Sequence, residues 1–429
     1  MKTTSTWYSL RNPVFRRIWL ASVLSGVFVS AQDVTATWLI YDLGGSPFLL
    51  SLMATAASAP FFLFTLPAGA VADIVNRRAL IASAVLWQAV WSALLAFGAW
   101  TDAMNPAAVL ACVFALGIGL AFAAPVWGAI VPDIVNKEEL PSAITLGGVQ
   151  LNLSGIVGPA LGGALLPLFG APLLISLNGL VFLLVAFVVL TWKPRQASPN
   201  TLRENFIESF SSSVRYASNS QRMKVILFRN ALFSLVISVI PALLPVIALK
   251  MCACSASQLG LIFASVGVGS LAGAVFVLPY LRQRVSPNAI ISISMTIMVA
   301  VVFAMVFIRQ VPPLMAATTL AGVAWALAGS ELWVAGQRVM PGWVRGRMNA
   351  FLIMLGAEHL RQNMRMTRDE TSLFEKATSL HAGDSEPMVS HFRSTQKFMQ
   401  LAGFGCSGRT FMNTSRLSKP RLVAVNTEA

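Results

Sequence analysis

Ten apolar runs, near 18–40, 48–72, 79–100, 107–131, 143–167, 172–191, 225–248, 258–280, 288–308 and 313–334, fill most of this chain. Each approaches or exceeds the roughly 20 residues that a helix needs to cross a bilayer. Lipid offers no hydrogen-bond partner to a free backbone amide, so runs of this kind fold as helices and not as open sheet. An eleventh run starts at Met348 and stops at Gly356, too short to cross. The expectation is an all-α polytopic membrane protein. Composition agrees: charged residues make up 11% of the chain, against about 25% in a soluble domain.

The net charge of +14 invites a nucleic-acid reading, and its placement argues against one. Up to Arg347, nineteen Lys and Arg fall on one side of the tiled spans, and Lys250 and Arg309 fall on the other. That asymmetry is the positive-inside bias of a membrane protein, and it puts the N-terminus and the tail in the cytoplasm. No nucleic-acid partner is expected. Arg16-Arg17 precedes a run too long for the core of an export signal, so the first helix is expected to stay in the bilayer. Cys112, Cys406 and the Cys252-Ala253-Cys254 pair form no metal set, and a two-residue offset is awkward for a disulfide. His359, His381 and His391 all lie in the tail at spacings that fit no zinc site. No catalytic grouping, phosphate loop or cofactor motif stands out, so no enzyme activity is expected.

The chain repeats itself. Leu49 to Arg78 resembles Gln258 to Pro287 at an offset of 209 residues, and Ile130-Val131-Pro132-Asp133 recurs as Val339-Met340-Pro341-Gly342 at the same offset. The polar stretch from Lys193 to Arg222 lies between the copies. The turn after the second run reads Gly69-Ala-Val-Ala-Asp73-Ile-Val-Asn-Arg77-Arg78. It resembles the loop between helices two and three of the major facilitator superfamily, with Ile74 and Asn76 replacing that pattern's Arg and Gly. The resemblance implies two pseudo-symmetric six-helix halves with the cargo path between them. The expected division is 1–192 for the first half, 193–224 for the linker, 225–356 for an incomplete second half, and 357–429 for a cytoplasmic tail.

In the fifth run, Ser154, Gly158, Pro159, Gly162 and Gly163 resemble the helix-five motif of the exporters in that superfamily. Physically, Gly158-Pro159 removes a backbone donor and the small residues admit close helix contact; simple packing against a neighbour is the plainer reading. Arg11-Asn-Pro-Val-Phe-Arg-Arg-Ile-Trp-Leu20, Leu39-Ile-Tyr-Asp-Leu-Gly-Gly-Ser-Pro47 and Val344-Arg345-Gly346-Arg347 resemble the bacterial branch that includes the enterobactin exporter and the transmembrane secretion effectors. That likeness runs from about residue 10 to 356. It implies a proton-driven exporter of a small organic molecule, drug or siderophore in the bacterial inner membrane, acting as a monomer. A non-transporting remnant is the alternative.

After Gly356 the pattern breaks. Ala357 to Asp369 looks like part of a soluble domain similar to small antibiotic-biosynthesis monooxygenases, as if helices eleven and twelve were lost in an internal deletion. Ser407 to Ala429 is polar and without periodicity, which predicts disorder. The resemblance also implies that Asp73 faces the positive end of helix eleven, a contribution of about 0.3–1 kcal/mol. Only the stub from Arg347 to Gly356 remains to supply it, so impaired alternating access is expected.

Intramembrane chemistry is sparse. Asp33 lies inside the first run beside Gln32, and an acid there is a candidate for proton coupling; a carboxylate reaching water near the outer end is the other reading. Gln32, Gln150, Asn152 and Asn178 either line the cargo path or hydrogen-bond between helices. Glu331 stands near the cytoplasmic end of the tenth run, where a pair with Arg338 would serve as gate or snorkelling pair, with Arg345 and Arg347 close behind. Trp38, Trp87, Trp91 and Trp127 either stack an aromatic cargo or anchor and pack the helices.

Overall fold

The computed structural model describes residues 7–136, 138–192 and 219–339. Among these, regular structure is helical throughout. A 3-10 turn at Tyr8–Arg11 leads into α1 (Pro13–Asp42), α2 (Pro47–Ile74), α3 (Arg77–Trp100), α4 (Pro106–Ile134) and α5 (Leu140–Thr191). Then follow α6 (Gln221–Met251), α7 (Ala256–Arg282), α8 (Pro287–Phe307) and α9 (Val311–Val339). α5 runs for 52 residues but breaks at Gly170, whose φ of 74° and ψ of 164° are open to glycine and strained for other residues. Its arms, 140–169 and 171–191, are the expected fifth and sixth crossings. The described residues therefore cross ten times, as the hydropathy pattern predicts.

Helix starts follow one device. Asn12, Ser46, Asn105 and Ser286 each precede a proline at the first helical position, and each side chain accepts a backbone N–H of the first turn. Proline lacks the N–H that would be unpaired there, so the pair satisfies the helix end. Ser255 and Gln258 close a reciprocal capping box at the start of α7. The turn expected over residues 69–78 is shorter than the sequence suggests. Helix α2 runs to Ile74 despite Pro67, and only Val75 and Asn76 are left to turn. Asn76 Oδ1 then caps α3 by accepting the Arg78 N–H at 3.0 Å.

Helices α1 to α5 form one group and α6 to α9 another. In the first, α1 packs on α5, α2 on α4, and α3 on both α4 and α5. Ile81, Val126, Ile130, Phe182 and Val185 fill the core between α3, α4 and the second arm of α5. In the second group, α9 packs on α7 and α8, with Leu278, Ile290 and Leu327 at the contact. The repeat of offset 209 is visible in the helices themselves: α2 shifted by 209 covers 256–283, and α7 spans Ala256–Arg282. The groups meet through α5 against α7 and α2 against α6.

The segment before α1 is pinned to the α4–α5 connection. Ser9 N donates to Ser142 Oγ at 3.2 Å, Ser9 Oγ donates to Glu139 O at 2.7 Å, and Asn12 Nδ2 donates to Ile134 O at 3.0 Å. One turn on, Trp19 Nε1 donates to Leu146 O at 2.9 Å. These bonds fix the depth and rotation at which α1 enters the bundle. The expected stub and tail, from Pro341 onward, and most of the linker lie outside the described residues.

Candidate functional site

Residues four apart share a helix face, and neighbours one position on share the next face. The first arm of α5 uses both. A β-carbon on Gly158 would lie 2.5 Å from Ser30 Cβ and 2.6 Å from Val27 O, and one on Gly162 would lie 2.8 Å from Ala31 O. That face seats α1. One position on, a β-carbon on Gly163 would lie 2.7 Å from Gly260 Cα and 2.9 Å from Ala256 O, while one on Gly260 would strike Pro159 O. Nearer mid-helix, a β-carbon on Gly267 would lie 2.6 Å from Gly155 O. The motif thus holds α5 against α1 on one side and against α7 of the other group on the next. Gly260 is four residues into α7 and Gly163 seven before the break at Gly170, so this crossing lies within about 10 Å of the face opposite the N-terminus.

A charged contact joins the groups at that same face. Lys250 Nζ, at the end of α6, sits over the Tyr41 ring at the end of α1, 4.9 Å from its centroid. Trp38 stacks obliquely on Tyr41 with centroids 5.5 Å apart.

Asp33 has a distinctive setting. Every other residue from Ala21 to Tyr41 is buried or half-buried, yet Asp33 is exposed. A lipid-facing stripe would repeat every three or four residues, and Ala36, Thr37 and Ile40 are buried. Asp33 therefore opens locally, onto space within the bundle. Its neighbour Gln32 points the other way: Gln32 Oε1 accepts from Ser92 Oγ at 3.1 Å and from Asn178 Nδ2. Ser92 Oγ also lies 3.0 Å from Ile175 O. This buried trio ties α1, α3 and the second arm of α5 together and fixes the rotation of α1 that aims Asp33.

The other expected polar residues are placed apart from that acid. Gln150 Nε2 donates to Ser22 O at 3.4 Å, toward α1, and Asn152 Nδ2 donates to Gly148 O of its own helix at 2.9 Å. Ser154 is buried against Gly26, and its Oγ has no hydrogen-bond partner. Trp87 Nε1 donates to Ala115 O at 2.7 Å, and its ring lies 5.7 Å from that of Trp91. Gly69 and Asp73 fall on the last turns of α2, where the surroundings of Asp73 lie outside the described residues. Arg78 reaches the Leu190 carbonyl at the end of α5.

Glu331 departs from expectation. It bonds not to Arg338, whose side chain lies outside the described residues, but to Arg282 at the end of α7, with Nε and Oε1 2.6 Å apart. Arg338 lies beyond Glu331 on α9, whereas Arg282 comes from the helix on which α9 packs. Sequence reasoning missed Arg282, although a signal was present: it stands 209 residues after Asp73, at the corresponding place in the repeat. Glu331 is 4% exposed and Arg282 46%. Arg282→Ala leaves the buried carboxylate unpaired, and the expected loss is about 2–3 kcal/mol, below the fully buried case because the guanidinium is half in solvent. Thermal unfolding in detergent measures this, with Arg282→Ala/Glu331→Leu expected to recover most of it. An unchanged midpoint in the single variant would remove the pair from the list of structural ties.

Comparison with known proteins follows this geometry. Residues 4–357 match the family model described as transmembrane secretion effector. The enterobactin exporter EntS of Salmonella typhimurium is 26% identical over 287 residues, 66% of this chain and 67% of that protein. Macrolide efflux protein A of Streptococcus pyogenes is 22% identical over 55% of this chain and 58% of its own length. Among solved structures, a bacterial homologue of the human lysosomal transporter Spinster, inward-facing and unoccupied, superposes with a TM-score of 0.63 at 16% identity, covering 81% of this chain and 79% of that one. The nucleoside transporter NupG does so with a TM-score of 0.67 at 11% identity, over 83% of this chain and 91% of its own. These likenesses establish a multi-pass transporter fold. The chain belongs to the transmembrane secretion effector family of major facilitator transporters.

Proposed function

We propose that this chain is a proton-coupled exporter of small organic molecules, working by alternating access in a bacterial inner membrane with its N-terminus and tail in the cytoplasm. One observation carries the reading: the exporter-motif glycines clasp α5 to α7 near one face, while Asp33 opens onto space inside the bundle. With the positive-inside orientation, the clasped face is the outer one, and the cargo path opens inward. Proton entry from outside then requires the clasp to part, and a carboxylate on the path exchanges its proton with one side at a time. Arg345 and Arg347, with Arg77, Arg78 and the Glu331–Arg282 pair, would flank the inner mouth. The relatives that export enterobactin and macrolides point to cargo of that size, amphipathic and often aromatic. A single copy holds both halves of the path, so the monomer is the working unit.

The short run from Met348 to Gly356 favours a second reading, a chain that inserts but cannot cycle because two helices of its second half are missing. Inverted vesicles energised to an acid interior separate the two. Accumulation of a fluorescent dye or a catecholate siderophore, abolished by a protonophore, is the expected result. Accumulation only after two further helices are grafted behind Gly356 would make this chain a remnant.

A further inference from the structure

The connection between α6 and α7 carries two thiols either side of Ala253. Ala253 has φ of 48°, in the left-handed region that alanine seldom enters. The loop is held on both sides of that turn, with Cys252 N bonding to Ile247 O at 2.9 Å and Cys254 N to Ala248 O at 3.0 Å. The turn brings the thiols close enough to share a hydrogen bond, which removes the objection that a two-residue offset raises. The thiols are not equivalent. Cys254 is 3% exposed, and Cys252 is half-buried with its Sγ 4.0 Å from Ile308 O. Burial pushes both thiols up, Cys254 to about 11, while the Arg309 guanidinium and the bond with Cys254 act the other way on Cys252.

We propose that Cys252 and Cys254 are a redox-active dithiol, closed to an intramolecular disulfide by exchange with an incoming disulfide such as oxidised glutathione or an exposed protein disulfide. In the first step the Cys252 thiolate attacks one sulfur of the incoming disulfide, forming a mixed disulfide and expelling one thiolate, which takes up the proton that Cys252 lost. In the second, Cys254 gives up its proton and attacks Cys252 Sγ, and the second half of the oxidant leaves as its thiol. Two thiols are oxidised to one disulfide, and one disulfide is reduced to two thiols. Cys252, half-exposed and beside a cation, is the attacking group, and buried Cys254 resolves it. The bridge would stiffen the loop two residues beyond Lys250, which reaches across to Tyr41. That an oxidising compartment meets this loop rests on the orientation proposed above; the exchange chemistry does not.

The test therefore uses purified full-length chain in detergent and reads no transport. Cys112→Ser and Cys406→Ser remove the other thiols, and oxidised glutathione is the probe. The expected result is an intact mass lower by two hydrogens and loss of maleimide labelling at both cysteines, restored by dithiothreitol. Cys254→Ser is expected to hold glutathione on Cys252, whereas Cys252→Ser takes up little. Persistent labelling of both thiols, or a glutathione adduct that never resolves in the parent, would overturn the proposal.

Discussion

Asp33→Asn removes gradient-driven cargo accumulation, cutting the initial rate by at least about tenfold, the kinetic equivalent of ~1.4 kcal/mol, while the protein still inserts and still binds cargo. The expectation follows from the environment of α1. Gln32 is locked to Ser92 and Asn178, so α1 cannot rotate freely, and the next residue is held toward the interior space. An acid at such depth is costly unless water or a partner reaches it, and it persists in membrane proteins where it has a task. Asparagine keeps the shape and the hydrogen bonds but cannot carry a proton, so coupling is lost and downhill cargo exchange remains. Asp33→Glu should keep partial pumping. Vesicle uptake with and without an imposed pH gradient distinguishes these outcomes, and full pumping by the asparagine variant would remove Asp33 from the mechanism.

The parts of this architecture visible in the sequence share a physical cause. Crossing number is legible because a bilayer imposes length and hydrophobicity on every span. Helix starts are legible too, since Asn12-Pro13, Ser46-Pro47, Asn105-Pro106 and Ser286-Pro287 carry cap and first residue side by side. Even the break in α5 is marked by Gly170-Ala171-Pro172. Helix rotation is much less visible. In lipid the outer face of a span is as apolar as its packed face, so periodicity no longer says which side meets a neighbour. That is why Gln32, Gln150, Asn152 and Asn178 formed one group in the sequence, whereas the structure gives each a different partner. Ser92 and Arg282 were missed for the same reason: each acts through a partner far along the chain. Small residues were the exception. The offset between Gly158 and Gly162 on one face and Gly163 on the next encodes two contacts at once.

That double contact makes Gly260→Val the substitution expected to act most strongly on conformation. A valine there must clear the Pro159 carbonyl and Gly163 Cα, both backbone, so no side-chain rotamer change relieves the clash. Forcing extra carbon into a filled contact costs about 1–3 kcal/mol, comparable with the few kcal/mol that separate two states of a transporter. The cost falls only on the state in which α5 and α7 touch. Populations should therefore move toward the state open at this face, with transport falling because the cycle must return through the contact. Spin labels on Leu43→Cys and Gln310→Cys, both exposed at the same face on opposite groups, report it as a longer distance population. Gly147→Val is the control, since a β-carbon there meets nothing within 4 Å. If the valine at 260 leaves both the distance distribution and transport unchanged, the α5–α7 crossing is a passive seam, and the gate lies elsewhere between α2 and α6.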